Sequence, residues 1–490
     1  NKTMGQGGFQ EVEQMNLFKD MVCYQEEVRD PSRMAEVLNR VIEKAIRGSA
    51  PAQINVPRDY WCQVIDIDLP PIVRLERQGG GADAIAKAAD LLSKAKFPVI
   101  LSGAGVVIGG AIEETKKLAE KLDSPVCSGY QHNDSFPGSH PLAVGPLGYN
   151  GSKAAMELIT KADVVLALGT RLNPFSTLPG YGIDYWPKKA SIIQVDINPD
   201  RIGLTKKVTV GISGDAKLVA QQIFEKLPSS AGDIDRQKRK DLIHQTKSAW
   251  LQKLSSLDHE DDDEGTVWNK EARKRDADRM SPRQAWRAIQ AGMPEDVIIS
   301  SDIGNNCAIG NAYPTFEKPR KYLAPGLFGP CGYGFPSILG AKIGCPNTPV
   351  IGFAGDGAFG ISMNEMSSCA REEWPAITMV IFRNYQWGAE KRNTTLWFDN
   401  NFVGTELDPE LSYAKVANAC GLKGVTVKTM EETTAAIKQS CEDQKTGITT
   451  FIEVILNQEL GEPFRRDAMK KPVRVAGIKK EDMKKQPSLV

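Results

Sequence analysis

Between residues 33 and 46 apolar side chains recur at helical spacing, and Ala52-Gln53-Ile54-Asn55-Val56-Pro57 then reads as a short buried strand stopped by its proline. Residues 1–77 are therefore expected to be the end of an α/β unit. The start at Asn1-Lys2-Thr3 shows no initiator methionine, and the partner strands of this segment are expected upstream of it, so the first unit reads as incomplete. From 78 to 228, the runs 98–101, 164–168 and 192–195 are strand-like and alternate with helical patterns, as in a parallel sheet with helices on its faces. Residues 229–280 are strongly charged, acidic over 260–264 and basic over 270–279, which predicts a solvated, partly helical linker. Ser281-Pro282-Arg283-Gln284 opens the next unit: serine caps a helix, proline suits its first position, and Gln284 can return a hydrogen bond to the cap. Strand-like runs at 297–300, 349–353 and 378–382 fill a third unit over 281–465, with 466–490 as a tail. The predicted fold class is α/β: three units of parallel sheet flanked by helices, the first incomplete.

Charge and cysteine usage narrow the function. Sixty-one basic and sixty-one acidic residues among 490 give a net charge of zero, so no global field favours nucleic acid or an anionic membrane. Small-molecule chemistry is the better expectation. The nine cysteines form no C-x-x-C or zinc-type spacing, and nothing at the start reads as a secretory signal, which fits a reduced cytoplasm. The most apolar stretch, 97–112, is broken by Gly103, Gly105, Gly109 and Gly110 and falls short of the ~20 residues a membrane helix needs.

The chemistry concentrates between Gly352 and Gly388. A buried strand ends in Gly355-Asp356-Gly357-Ala358, a helical stretch follows to Cys369, and a second strand ends at Arg383-Asn384-Tyr385-Gln386. Asp356 and Asn384 thus lie at the carboxyl ends of two strands, where open α/β sheets bind ligands. Glycines beside Asp356 let backbone N–H groups approach an anion, and the helix start favours a phosphate. A carboxylate, an amide and a main-chain carbonyl are hard oxygen donors that suit Mg²⁺, which shares its remaining positions with phosphates and water. Two further turns follow strands: Asp302-Ile303-Gly304-Asn305-Asn306 and Gly329-Pro330-Cys331-Gly332-Tyr333-Gly334, the latter leading into a small-residue helix. On spacing alone each is equally a tight turn.

This G-D-G followed by an asparagine-ended strand resembles the cofactor motif of the acetolactate synthase and pyruvate decarboxylase superfamily, which uses thiamine diphosphate and Mg²⁺. The resemblance implies that all three units are of the Rossmann-like or thiamine-diphosphate-binding type. It also implies that Asp356, Asn384 and the Gln386 carbonyl bind Mg²⁺ and that Gly357 and Ala358 hold the diphosphate. By the same resemblance Gly304 and Asn305 contact the diphosphate, Gly329 offers a carbonyl to the aminopyrimidine, and Cys331 stands at the apolar wedge that bends the cofactor. Gly7-Gly8-Phe9-Gln10-Glu11 is similar to the late Phe-Gln-Glu stretch of the pyrimidine-binding domain, which makes Gln10 a cofactor contact. The chain departs at Arg383, where many relatives carry a second asparagine. The superfamily's activating glutamate lies upstream of Phe-Gln-Glu, so it is expected before Asn1, and a polypeptide without it should bind cofactor weakly and catalyse little.

Tyr181-Gly182-Ile183-Asp184-Tyr185-Trp186-Pro187, Asn384 to Lys391, Phe402-Val403-Gly404-Thr405 and Gly461-Glu462-Pro463-Phe464-Arg465-Arg466-Asp467 resemble in particular the sulfoacetaldehyde acetyltransferases. That resemblance implies conversion of sulfoacetaldehyde and phosphate into acetyl phosphate and sulfite through an acetyl group carried on the cofactor, in taurine or sulfonate breakdown. It also implies a homodimer or homotetramer. Lys391 and Arg392 are candidates to line an anion pocket, with Arg383, Arg465 and Arg466 to be tested in the same way. The alternative within the class is an acetolactate-synthase-like carboligase or decarboxylase acting on a 2-oxo acid. From another class, Ser102-Gly103-Ala104-Gly105 is half a dinucleotide fingerprint with Ile108 at the third glycine position, and Asp196 could meet a ribose, as in a nicotinamide oxidoreductase. A noncatalytic homologue is the third reading.

Overall fold

The structure, a computed structural model, describes residues 4–71, 76–228, 235–256, 274–326, 328–371, 373–398 and 401–459. It divides into two compact units, Asn1–Arg77 and Gln78–Val490.

In the first unit, strand β1 (Tyr24–Glu27) pairs in parallel with β2 (Ala52–Asn55), and helix Met34–Gly48 connects them. Val37 and Val41 of that helix pack with Val28. The helix stops at Ser49, whose left-handed φ of 47° lets its N–H bond back to the carbonyls of the last turn. The β2 strand therefore has one partner within this segment, contrary to the expectation that all its partners lie upstream. Hydropathy hides β1 because its sequence, Tyr-Gln-Glu-Glu, carries no apolar alternation; it is held by the ladder and by Arg40, which binds Glu26 at 2.8 Å.

The second unit holds two six-stranded sheets, every adjacent pair of strands parallel. The first contains β3 (Pro98–Ser102), β4 (Val126–Ser128), β5 (Ala143–Pro146), β6 (Val164–Leu168), β7 (Ser191–Asp196) and β8 (Val210–Ser213), in the order β5-β4-β3-β6-β7-β8. The second contains β9 (Ile298–Ser301), β10 (Tyr322–Leu323), β11 (Val350–Gly355), β12 (Thr378–Arg383), β13 (Lys423–Val427) and β14 (Thr450–Ile455), in the order β10-β9-β11-β12-β14-β13. Helices cover both faces, so β3, β6 and β12 are buried along their whole length, as central parallel strands must be. In the second sheet the strand order reverses between β9 and β11. The loops leaving those two strands, at Asp302 and Asp356, therefore open the crevice in which such sheets bind ligands.

The charged segment is more structured than a solvated linker. Helix Arg236–Ser256 buries Arg239, whose guanidinium donates to the carbonyls of Lys96, Leu122 and Asp123, and Trp250 packs edge-on against Tyr181 at 5.5 Å. The acidic run at 260–264 lies outside the described residues. The capping box at Ser281 forms as its sequence predicts. The helical stretch after Gly357 is in fact broken into Asp356–Ser362, a 3₁₀ turn at Met363–Glu365 and Met366–Cys369, where Ser362 and Asn364 are weak helix formers. No helix among the described residues is long and apolar enough to cross a membrane.

Candidate active site

Asp356 sits at the end of β11, 1 % exposed, and is the best anchored polar group of the crevice. Its Oδ1 accepts from the Gly357 N–H at 3.0 Å; its Oδ2 accepts from the Tyr385 N–H at 2.6 Å and the Arg383 guanidinium at 3.1 Å. The Tyr413 hydroxyl donates to its carbonyl at 2.9 Å. Two strand ends, β11 and β12, are thus stitched together at one carboxylate. Burial pushes this carboxyl up to about 6, against the opposing pull of Arg383 and of the Tyr385 and Gly357 N–H groups.

Arg383 is fully buried in the last position of β12. Besides Asp356 it donates to the carbonyls of Asp408 and Leu411, lies 3.7 Å from Glu453, and stacks beneath the Tyr385 ring at 4.2 Å. Two buried carboxylates share one guanidinium, which leaves an excess negative charge for a cation to balance. The chain then turns sharply: Tyr385 adopts φ 61°, a left-handed conformation uncommon outside glycine. Asn384 is 2 % exposed, and its side chain makes no hydrogen bond among the described residues. Gln386 donates through Nε2 to the Gln458 carbonyl, while its Oε1 is buried without a partner. The bridge from Gln386 to Glu406 is closed by the Trp387 and Leu407 N–H groups, so the Gln386 carbonyl is not used in it. Asp356, Asn384 and Gln386, predicted as one metal set, are thus brought to adjacent strand ends with donor oxygens to spare.

Gly357 lies under the Trp387 ring, and a Cβ there would stand 2.8 Å from it. Gly304, at φ 127°, opens the turn into helix Asn305–Ile309, and a Cβ there would meet only open space. Asn306 is buried with its Oδ1 unpartnered. The Gly329–Gly334 turn is tied to this crevice by Asp302, which accepts from the N–H groups of Ile303 (2.8 Å), Gly332 (3.2 Å) and Gly334 (2.7 Å). Cys331 is exposed, yet partial shielding of its thiol from water, with Asp302 and Glu390 nearby, raises its pKa, which argues against a thiolate nucleophile and leaves it an apolar contact. Gln10, in the first unit, is exposed with φ 61°.

Lys391 and Arg392 are not the solvated pair that a helix start suggests. Both are buried, and the Lys391 ammonium pairs with Glu406 and lies over the Phe402 ring at 5.3 Å. Arg465 and Arg466 lie outside the described residues. Tyr385, Tyr413 and Asp302 hold the site in place; the sequence offers Asp302 as the start of its turn and Tyr385 as a position between two candidate ligands, and nothing in it points to Tyr413.

The glycines of the partial dinucleotide fingerprint have a packing explanation. A Cβ at Gly103 would lie 2.6 Å from the Gly169 carbonyl oxygen, and one at Gly105 2.7 Å from the Gly169 Cα. They allow the ends of β3 and β6 to touch. Asp196 turns onto its own loop, accepting from the Asn198 N–H at 2.9 Å.

Comparison with known proteins agrees with this geometry. The thiamine pyrophosphate enzyme central domain matches residues 85–223, and the C-terminal TPP binding domain of the same enzymes matches residues 302–454. A "Probable sulfoacetaldehyde acetyltransferase" of Rhizobium meliloti (strain 1021) is 78 % identical over 486 residues, covering 99 % of this chain and 82 % of the relative. The chain belongs to the sulfoacetaldehyde acetyltransferase family. A second member, from Roseovarius nubinhibens, is 73 % identical over 99 % of this chain and 81 % of its own length. Among solved structures, benzoylformate decarboxylase from Polynucleobacter necessarius superposes with a TM-score of 0.73 at 19 % identity, covering 94 % of this chain and 81 % of that one, which shows the shared fold. Thiamine diphosphate is accordingly the cofactor of this family member, and the crevice fits it: Gly304 leaves open space at its turn, and unpartnered buried oxygens stand at Asn306 and Gln386.

The raised Asp356 pKa has a consequence with a definite sign. Between about pH 4 and pH 6 the folded protein holds a proton here that the unfolded chain has released, so the metal-free protein gains stability on acidification through this window. A divalent cation held by Asp356 would compete with that proton. Mg²⁺ affinity, measured calorimetrically with thiamine diphosphate present, is expected to be roughly tenfold weaker at pH 5 than at pH 7.5; an affinity independent of pH would remove Asp356 from the metal shell.

Proposed function

We propose that this chain converts sulfoacetaldehyde and phosphate into acetyl phosphate and sulfite, using thiamine diphosphate and Mg²⁺. The observation that carries the reading is family membership over nearly the whole chain; the buried Asp356 and Asn384 pair makes the chemistry feasible. Asp356, the Asn384 side chain and the Gln386 carbonyl hold Mg²⁺. Gly357, Ala358, Gly304 and Asn305 receive the diphosphate, and Gly329 and Cys331 cradle the pyrimidine side. When bound, the cofactor supplies the electron sink that lets sulfite leave and an acetyl group pass to phosphate. The protein contributes orientation and charge: Arg383 keeps Asp356 aligned, and the left-handed turn at Tyr385 fixes the positions of Asn384 and Gln386, which would hold the metal.

Lys391 and Arg392 are proposed to face the anionic substrates. Their burial supports this, since a buried cation near a site has more effect than a solvated one. Lys391→Ala is expected to raise KM for phosphate or sulfoacetaldehyde about tenfold with a smaller change in kcat; unchanged kinetics would assign Lys391 to its Glu406 pair alone. Action in the cytoplasm as a homodimer or homotetramer completes the proposal. Phe328 and Ile361, 93 % and 58 % exposed beside the Gly329–Gly334 turn, support a subunit contact there.

A further inference from the structure

Two neighbouring loops of the first six-stranded sheet carry an unusual feature in common. After β4 the chain passes through Gln131, at φ 61°, and after β5 through Asn150, at φ 53°. Both residues are buried, 6 % and 3 % exposed. Neither Nδ2 nor Oδ1 of Asn150 has a hydrogen-bond partner, and the Gln131 side chain makes no hydrogen bond among the described residues. Burying a whole amide unpartnered costs several kcal/mol by general experience, and native proteins rarely tolerate it without a bound group.

The backbone around these amides is firmly built. The Asn311 side chain spans both loops, its Oδ1 accepting from the Gln131 N–H at 3.1 Å and its Nδ2 donating to the Tyr149 carbonyl at 3.2 Å. Tyr181, in the segment that most resembles the acetyltransferases, donates to the Gly151 carbonyl at 2.8 Å. Tyr130, Tyr149 and Phe175 form an aromatic wall with centroids 4.8 to 6.1 Å apart. Tyr130 and Tyr149 pack on Ala308, in the helix that begins at the diphosphate turn, and Asn311 follows that helix directly. The two loops that carry these amides are therefore fixed against the element that carries Gly304 and Asn305. The charge felt at His132, next to Gln131, is that of the Arg171 guanidinium. Nearby Asp134 turns its Oδ2 onto the N–H groups of Lys321 and Tyr322, and its Oδ1 is buried without a partner. The Arg171 charge reaching His132, amides able to donate and an aromatic wall beside them suit an oxygen-rich anion.

The geometry points to Asn150, assisted by Gln131, as the holder of a tetrahedral oxyanion: the sulfonate of the aldehyde substrate or the phosphate that accepts the acetyl group. The assignment rests on the proposed function for the identity of the anion, though not for the existence of the site. Asn150→Gly is the cleanest test, because glycine adopts the same left-handed backbone without strain while the amide is lost. Asn150→Asp keeps the shape and places a negative charge against the anion. In the full-length holoenzyme, each variant is assayed for KM of sulfoacetaldehyde and KM of phosphate separately, for thiamine diphosphate affinity, and for thermal protection by ethanesulfonate and by inorganic phosphate. One KM is expected to rise about tenfold in the glycine variant and further in the aspartate variant, with cofactor affinity unchanged and protection by the corresponding anion lost. A rise confined to sulfoacetaldehyde assigns the sulfonate; one confined to phosphate assigns the acceptor. If both KM values and both protections stay within about twofold of the unmodified enzyme, the amide is served by water and the proposal falls. It falls equally if cofactor affinity drops in step with KM. Should the unmodified holoenzyme release no sulfite, the functional reading has failed, and the two protection measurements still decide the anion site.

Discussion

Asp356→Ala is expected to abolish Mg²⁺-dependent binding of thiamine diphosphate and with it all turnover. The carboxylate is the only acidic group among the proposed metal donors, and Asn384 and Gln386 offer neutral oxygens alone. A divalent ion bound through a diphosphate and two neutral donors loses its one charged protein ligand. The same substitution also releases the Tyr385 N–H and one contact of Arg383, so the turn that follows Asn384 loosens as well. Titration of cofactor binding by tryptophan fluorescence, with and without Mg²⁺, measures both effects. Full activity in this variant would move the metal elsewhere.

Arg383→Met is expected to produce the largest loss of stability. It leaves Asp356 and Glu453 buried at 1 % and 2 % exposure without their shared cation, and breaking a buried ion pair in this way typically costs about 3–5 kcal/mol. The carbonyls of Asp408 and Leu411 lose their donor too. Chemical denaturation should show the transition moved to markedly lower denaturant, and Glu453→Gln in the same background should restore part of it, because one of the two orphaned charges is then gone. Arg383→Met with unchanged stability would mean that the carboxylates are held neutral without the guanidinium.

What could be read from the sequence follows from where burial is uniform. Strands such as β6 and β12 are covered on both faces and therefore appear as continuous apolar runs. β1, β4, β5, β8, β10, β13 and β14 are missing from the sequence reading, and β1 and β14 show why. β1 is polar throughout, and β14, Thr-Phe-Ile-Glu-Val-Ile, holds a buried Glu453 that interrupts its run because the residue serves Ser412 and Tyr413. The strand-end positions of Asp356 and Asn384 could be deduced because glycine, carboxylate and amide stand where two apolar runs stop. The ion pair of Arg383 could not, since a basic residue at a strand end gives no sign of whether it turns inward. Lys391 misleads in the same manner: its ammonium is held by Glu406 and lies over Phe402, both more than ten residues on. Asn150 carries no signal at all in one dimension, because an asparagine before a glycine is an ordinary turn until its amide is seen to be buried and unpartnered.

The central claim is tested most directly by sulfite release from sulfoacetaldehyde, assayed in the full-length protein with thiamine diphosphate and Mg²⁺, in the presence and absence of inorganic phosphate. Sulfite whose release requires phosphate, with acetyl phosphate formed in equal amount, is the predicted result; no sulfite together with turnover of pyruvate would contradict it and place the chain among the carboligases.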